Sequence, residues 1–142
     1  MIQSYVLLGT LGVHSLEDLR DNKITVTITL FSGILGIILH LLSPDISIFE
    51  MIEGMFSGAW VILLGCLTGG KIGIGDGIIF ILTGLYLGAE KNLALMCLSF
   101  SLAGICGIFL LLFGCCKRDG RIPFVPFLFL GYLCMVAGQV IL

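Results

Sequence analysis

Charged residues are scarce along this chain and fall in short clusters, which cut it into long apolar runs. Charge-free stretches extend from Ile2 to Leu16, Ile24 to Leu42, Gly54 to Gly70, Gly77 to Ala89, Asn92 to Cys116 and Ile122 to Leu142. Each is continuous and rich in Leu, Ile and Gly, with none of the strict alternation over about ten residues that a barrel strand requires. The pattern therefore predicts an all-α, polytopic membrane protein with about six transmembrane helices. The 142 residues leave room for these spans of ~20 residues and little else, so residues 1–142 are expected to form a single membrane-embedded domain. The first run has no basic n-region and no small-residue cleavage site, and is read as a retained helix rather than a signal peptide.

Composition narrows the class further. Hydrophobic residues make up 58% of the chain and charged residues 11%, with a mean hydropathy of +1.20, values outside the range of ordinary soluble domains. The net charge of -2 leaves no basic footprint for nucleic acid. The partner implied by composition is the lipid bilayer.

The basic residues orient the spans. If six spans alternate, Arg20, Lys23, Lys71, Lys117, Arg118 and Arg121 fall in the first, third and fifth loops, and of the seven basic residues only Lys91 falls elsewhere. Those three loops are expected to be cytoplasmic. The fifteen residues from Ile2 to Leu16 would rise only ~22 Å as a helix, short of a ~30 Å hydrocarbon core, so the first helix is expected to continue through Asp18. By the same reasoning the fourth span must begin near Ile72, placing Asp76 about one turn inside the same boundary.

Asp18 and Asp76 thereby become the candidate chemistry: two isolated carboxylates at similar depth beside a bilayer, where an acid is costly to maintain. Asp18 sits in Glu17-Asp18-Leu19-Arg20-Asp21-Asn22-Lys23, the first polar break, and Asp76 closes Lys71-Ile72-Gly73-Ile74-Gly75-Asp76. Gly73 and Gly75 point to different faces of a helix, so they read as bare backbone that can start a helix late and admit a close neighbour. Depth is readable from sequence; whether the two acids face each other is not.

These residues resemble the type IV prepilin peptidases, intramembrane aspartyl proteases with a Gly-x-Gly-Asp signature. Asp18, Arg20 and Ile24 match an Asp-x-Arg and a following Ile after the first short helix. Gly73, Gly75 and Asp76 match Gly-x-Gly-Asp, and Pro123, Phe124, Pro126, Phe127, Leu128 and Gly131 match a Pro-Phe-x-Pro-Phe-Leu segment that opens the last helix. Two departures stand out: Thr25-Val26 occupies the place of a frequent Pro-Asn, and Ile78 that of a frequent Lys. The resemblance implies a short form without the cytoplasmic cysteine-containing segment, and hence no methyltransferase activity.

It further implies that Asp18 and Asp76 are the catalytic pair, with Gly73 and Gly75 as active-site backbone and Arg20, Lys71, Pro123, Phe124 and Pro126 near the substrate. The substrate would be a prepilin-like or preflagellin-like precursor with a class III signal peptide, cut at the cytoplasmic face of the cell membrane. One ionised Asp would activate water while its protonated partner polarises the scissile carbonyl, with no metal or other cofactor. Such a pair titrates as a unit.

The other polar residues read more plainly. Pro123 and Pro126 also fit the first turn of a helix, where a missing N–H costs little. Glu17, Asp21 and Asp119 are read first as solvated loop charges, and second as groups that attract a basic leader. His14 and His40 are read as interfacial polar groups without evident partners. The six cysteines lack C-x-x-C spacing and are read as small apolar fillers. Two rival functions share the composition: a proton- or cation-coupled transporter, which would favour an acid near the midplane, and a non-catalytic membrane scaffold, which would not need Asp18 and Asp76 in particular.

Overall fold

A computed structural model describes residues 2–43, 45–69, 73–113 and 123–141. Those residues form helices and contain no strand. Five helices follow in order: α1 (Ile2–Asp21), α2 (Val26–Leu42), α3 (Ile48–Leu67), α4 (Ile74–Leu112) and α5 (Val125–Ile141). Lys71 and the Lys117–Arg121 cluster lie outside the described residues, as do Cys115 and Cys116.

Five elements stand where six were expected because the fourth and fifth runs are joined in one element, α4, whose two helical arms meet at a break. That element is broken at Gly88, whose backbone adopts φ 74 and ψ 178, a positive φ that only glycine reaches without strain. The chain doubles back there. The rings of Phe80 and Phe100 lie 5.7 Å apart, whereas twenty positions along one continuous helix would separate them by ~30 Å. The turn thus falls at Gly88 and not at the Glu90-Lys91 pair, and Asn92 lies within the second arm.

Helix starts also differ from the expected runs, for local reasons. α3 begins at Ile48 rather than Gly54 because Ser47 and Glu50 form a reciprocal cap. The Glu50 N–H donates to Ser47 Oγ at 3.2 Å and the Ser47 N–H donates to Glu50 Oε2 at 2.7 Å. α1 continues to Asp21, carrying Asp18 in its last turns as its length required.

α4 is the centre of the bundle and touches each of the other helices. Its first arm packs on α3 almost backbone to backbone. A methyl group added at Gly54 would overlap the carbonyl of Gly84, and one added at Gly58 would overlap Ile81 N. Small residues let membrane helices approach this closely and gain dispersion contacts that lipid cannot replace. Where arms and helices meet, Asn92 is fully buried. Its amide nitrogen reaches Ser57 Oγ at 2.7 Å, Phe80 O at 3.1 Å and Gly54 O at 3.2 Å, while its oxygen accepts from Thr83 Oγ1 at 2.6 Å.

The core is correspondingly small: Leu7 and Leu11 of α1, Val61 of α3, Ile79, Phe80, Leu82, Leu85, Tyr86 and Leu95 of α4, and Val125, Leu128 and Tyr132 of α5. Large apolar side chains face outward in numbers no water-soluble surface carries, among them Phe31 at 72% exposure, Phe49 at 80% and Phe56 at 63%. Ile48–Leu67 and the broken stretch Ile74–Leu110 are long and apolar enough to cross a membrane, and α2 and α5 are shorter apolar helices. Trp60 is among the outward residues.

Candidate active site

The buried face of α1 reads Gln3, Leu7, Leu11, His14, Ser15 and Asp18, a stripe at helical spacing that ends on the carboxylate. Asp18 is only 8% exposed. Its Oδ2 accepts a hydrogen bond of 2.9 Å from the backbone N–H of Val125, the first residue of α5. The local sequence explains why that N–H is available. Pro126 has no N–H to offer, and the Phe127 and Leu128 N–H groups already bond Phe124 O at 3.0 and 3.3 Å. Asp18 therefore serves as a cap delivered from another helix, at the end where a helix dipole favours an anion.

Asp76 lies in the first turn of α4, which begins at Ile74, near the expected start at Ile72. Its N–H donates to Gly73 O at 3.1 Å. A methyl group at Gly73 would stand 2.7 Å from Asp76 Oδ2, and one at Gly75 would stand 2.9 Å from Ile24 Cδ1. Gly73 thus leaves space for the carboxylate, while Gly75 offers its bare backbone to Ile24 in the turn that leads into α2.

An aromatic cluster joins the first arm of α4 to the residues that open α5. Phe80, one turn after Asp76, and Phe124, adjacent to Val125, have ring centroids 5.8 Å apart, and Phe100 lies 5.0 Å from Phe124. Pro123, Phe124 and Pro126 are all half-buried at this end of the bundle. Pro126 takes the helix-opening place that its missing N–H suits. Arg20 is exposed in the last turn of α1. Lys71 lies outside the described residues.

The chain matches the type IV leader peptidase profile over residues 5–115, well over half its length. The chain belongs to the type IV leader peptidase family. No curated protein and no solved structure matches it significantly. The family match spans Asp18, Arg20, Ile24, Gly73, Gly75 and Asp76 but ends before the Pro123–Gly131 segment, whose link to the site is the hydrogen bond from Val125 to Asp18. Family and apolar helices together mark this leader peptidase relative as a membrane protein with a protease's role.

Two sequence readings are corrected here. His14 is not without partners: it is 0% exposed, with Nδ1 2.9 Å from Glu17 Oε2 and Nε2 3.0 Å from Thr29 Oγ1. Glu17 lies within α1 and not in a loop, and both of its oxygens also accept from Thr25, from Oγ1 at 2.6 Å and from N–H at 3.1 Å. Buried His40 differs, its Nδ1 having no hydrogen-bond partner among the described residues. Those residues include no group of three His, Cys, Asp or Glu side chains arranged to hold a metal. Cys66, Cys97, Cys106 and Cys134 are free thiols.

Proposed function

We propose that the protein is an intramembrane aspartyl endopeptidase that removes the short basic leader from prepilin-like or preflagellin-like precursors. What supports this reading is the placement of the two acids in a chain of this family: Asp18 is buried near the end of α1 and bonded to Val125 N–H, and Asp76 lies in the first turn of α4. In the proposed reaction the ionised member takes a proton from water as it attacks the scissile carbonyl. The protonated member polarises the carbonyl oxygen, and the leaving amine is then protonated as the tetrahedral intermediate collapses. Val125 N–H fixes one oxygen of Asp18 so that the other is directed by geometry rather than by chance.

The remainder of the proposal concerns placement. The protein crosses the cell membrane several times, with the first loop on the cytoplasmic side as the basic residues suggest. A precursor inserted with its positive leader inside presents its cleavage point at that boundary. Gly73 and Gly75 supply the uncrowded backbone beside Asp76, and Phe124, Pro123, Pro126, Arg20 and Lys71 border the substrate's path.

The deciding experiment is cleavage of a co-expressed pilin-like precursor in membranes, with the new N-terminus read by mass spectrometry. Asp18→Asn and Asp76→Asn should each lower the rate roughly 10²–10⁴-fold. An Asn at position 18 can still accept from Val125 N–H, so folded protein should persist. Cleavage surviving both changes would remove the aspartyl mechanism and return the transporter and scaffold readings.

A further inference from the structure

His14 stands out because no fold requirement explains it: an imidazole buried completely in an apolar bundle, one turn before Asp18 on the same face of α1. Its partners form a connected set. Its Nδ1 lies 2.9 Å from the Glu17 carboxylate and its Nε2 lies 3.0 Å from the Thr29 hydroxyl on α2. Glu17 in turn receives both donors of Thr25. Thr25 is the N-cap residue of α2, yet its side chain makes no bond to its own helix. The whole arrangement fastens the end of α1 to the start of α2 across a turn that contains Asn22 at φ 50.

What this fastening holds is Ile24, which precedes Thr25 and fills the space left by Gly75, with Cδ1 2.9 Å and Cγ1 3.8 Å from where a β-carbon would stand. Gly75 precedes Asp76. We infer that Glu17, oriented by buried His14, is a positioning residue: it clamps the α1–α2 turn so that Ile24 seats on Gly75 and sets the place of Asp76 relative to Asp18. The functional half of this inference rests on the peptidase reading, whereas the clamp itself is a statement of geometry. It also gives the Thr25 departure a physical meaning. Thr25 has φ -78, within reach of proline's fixed value near -65°, so here two hydrogen bonds restrain a turn that a ring could restrain covalently.

The test measures kcat and KM for precursor cleavage in membranes, and separately the rate of disulfide formation between Ile24→Cys and Gly75→Cys, mapped by mass spectrometry. Cγ1 marks where the cysteine sulfur at 24 would sit, so the pair should crosslink readily. Glu17→Ala should slow crosslinking and lower kcat on the order of 10-fold or more through misplacement of Asp76, with KM unchanged. Glu17→Gln should stay close to wild type in both readouts, because its oxygen can accept from Thr25 N–H and His14 while its amide donates to Thr25 Oγ1. Thr25→Pro added to Glu17→Ala should restore both.

Three results would overturn the inference. One is a Glu17→Ala protein that crosslinks at the wild-type rate. Another is a Glu17→Gln protein whose KM rises with kcat intact, which would make Glu17 a binding charge for the basic leader. The last is a double variant that crosslinks normally yet still cleaves slowly. If wild type itself cleaves no precursor, the peptidase reading fails, and the crosslinking rates alone still decide whether the clamp exists.

Discussion

Asn92→Ala should loosen the centre of the bundle by an amount that can be worked out from its partners. The Asn92 amide has two hydrogens for three acceptors, Gly54 O, Ser57 Oγ and Phe80 O, and its oxygen takes the Thr83 hydroxyl. That is three full bonds, each worth about 0.6 kcal/mol inside a membrane protein, so the loss is about 2 kcal/mol, or roughly 30-fold in the folding equilibrium. The truncation leaves few orphans to add to this. Ser57 Oγ already donates to Gly54 O at 2.6 Å, and Thr83 Oγ1 lies 3.2 Å from Phe80 O. Reversible unfolding in mixed micelles, followed by far-ultraviolet circular dichroism, would measure the change. Pairing the substitution with Thr83→Val in a double-mutant cycle isolates their shared bond, expected at up to about 1.7 kcal/mol. An Asn92→Ala protein that unfolds together with wild type would refute the claim that this side chain pins the two arms of α4 to α3.

Three glycine positions give further tests. Gly58→Ala places a methyl 2.5 Å from Phe80 C and 2.8 Å from Ile81 Cα, backbone that cannot swing aside, and should cost about 1–3 kcal/mol in the same unfolding assay. Gly88→Ala forces a β-carbon into φ 74, ψ 178 at the reversal of α4, with an expected cost of about 1–3 kcal/mol. Gly73→Ala meets only the far end of the Asp76 side chain, so it should lower precursor cleavage while leaving the unfolding midpoint near wild type.

Much of the architecture was legible because its causes are local. Apolar runs located the helices, and the shortfall in length of the first run correctly carried α1 through Asp18. The start of α3 was legible too, had Ser47-Ile48-Phe49-Glu50 been read as a capping box instead of the charge-free run being counted from Gly54. The reversal at Gly88 was harder. A glycine inside an apolar run does not announce which backbone conformation it will adopt, and the nearby charges of Glu90 and Lys91 drew the boundary past it.

The polar residues that organise the interior were missed for a different reason. His14, Glu17, Thr25 and Thr29 belong to one network but are separated by up to fifteen positions, and Asn92 reaches back thirty-eight to Gly54. The available signal was an uncharged polar side chain inside an otherwise apolar run, which must find a partner where water is absent. That signal marks the residue without naming the partner.

Sequence alone determined that the chain is helical and apolar enough for a membrane, and singled out Asp18 and Asp76 as candidate acids, because hydrophobicity, helical rise and charge act residue by residue. Only the tertiary structure decided azimuth: that Asp18 ends the buried stripe of α1 and caps α5 through Val125 N–H, and that Ile24 covers Gly75, the residue before Asp76. A helix can be turned about its axis at no cost in hydropathy when most of its faces are apolar. Glycine contacts and a few directional hydrogen bonds are what fix the rotation, and these exist only once the neighbouring helices are in place.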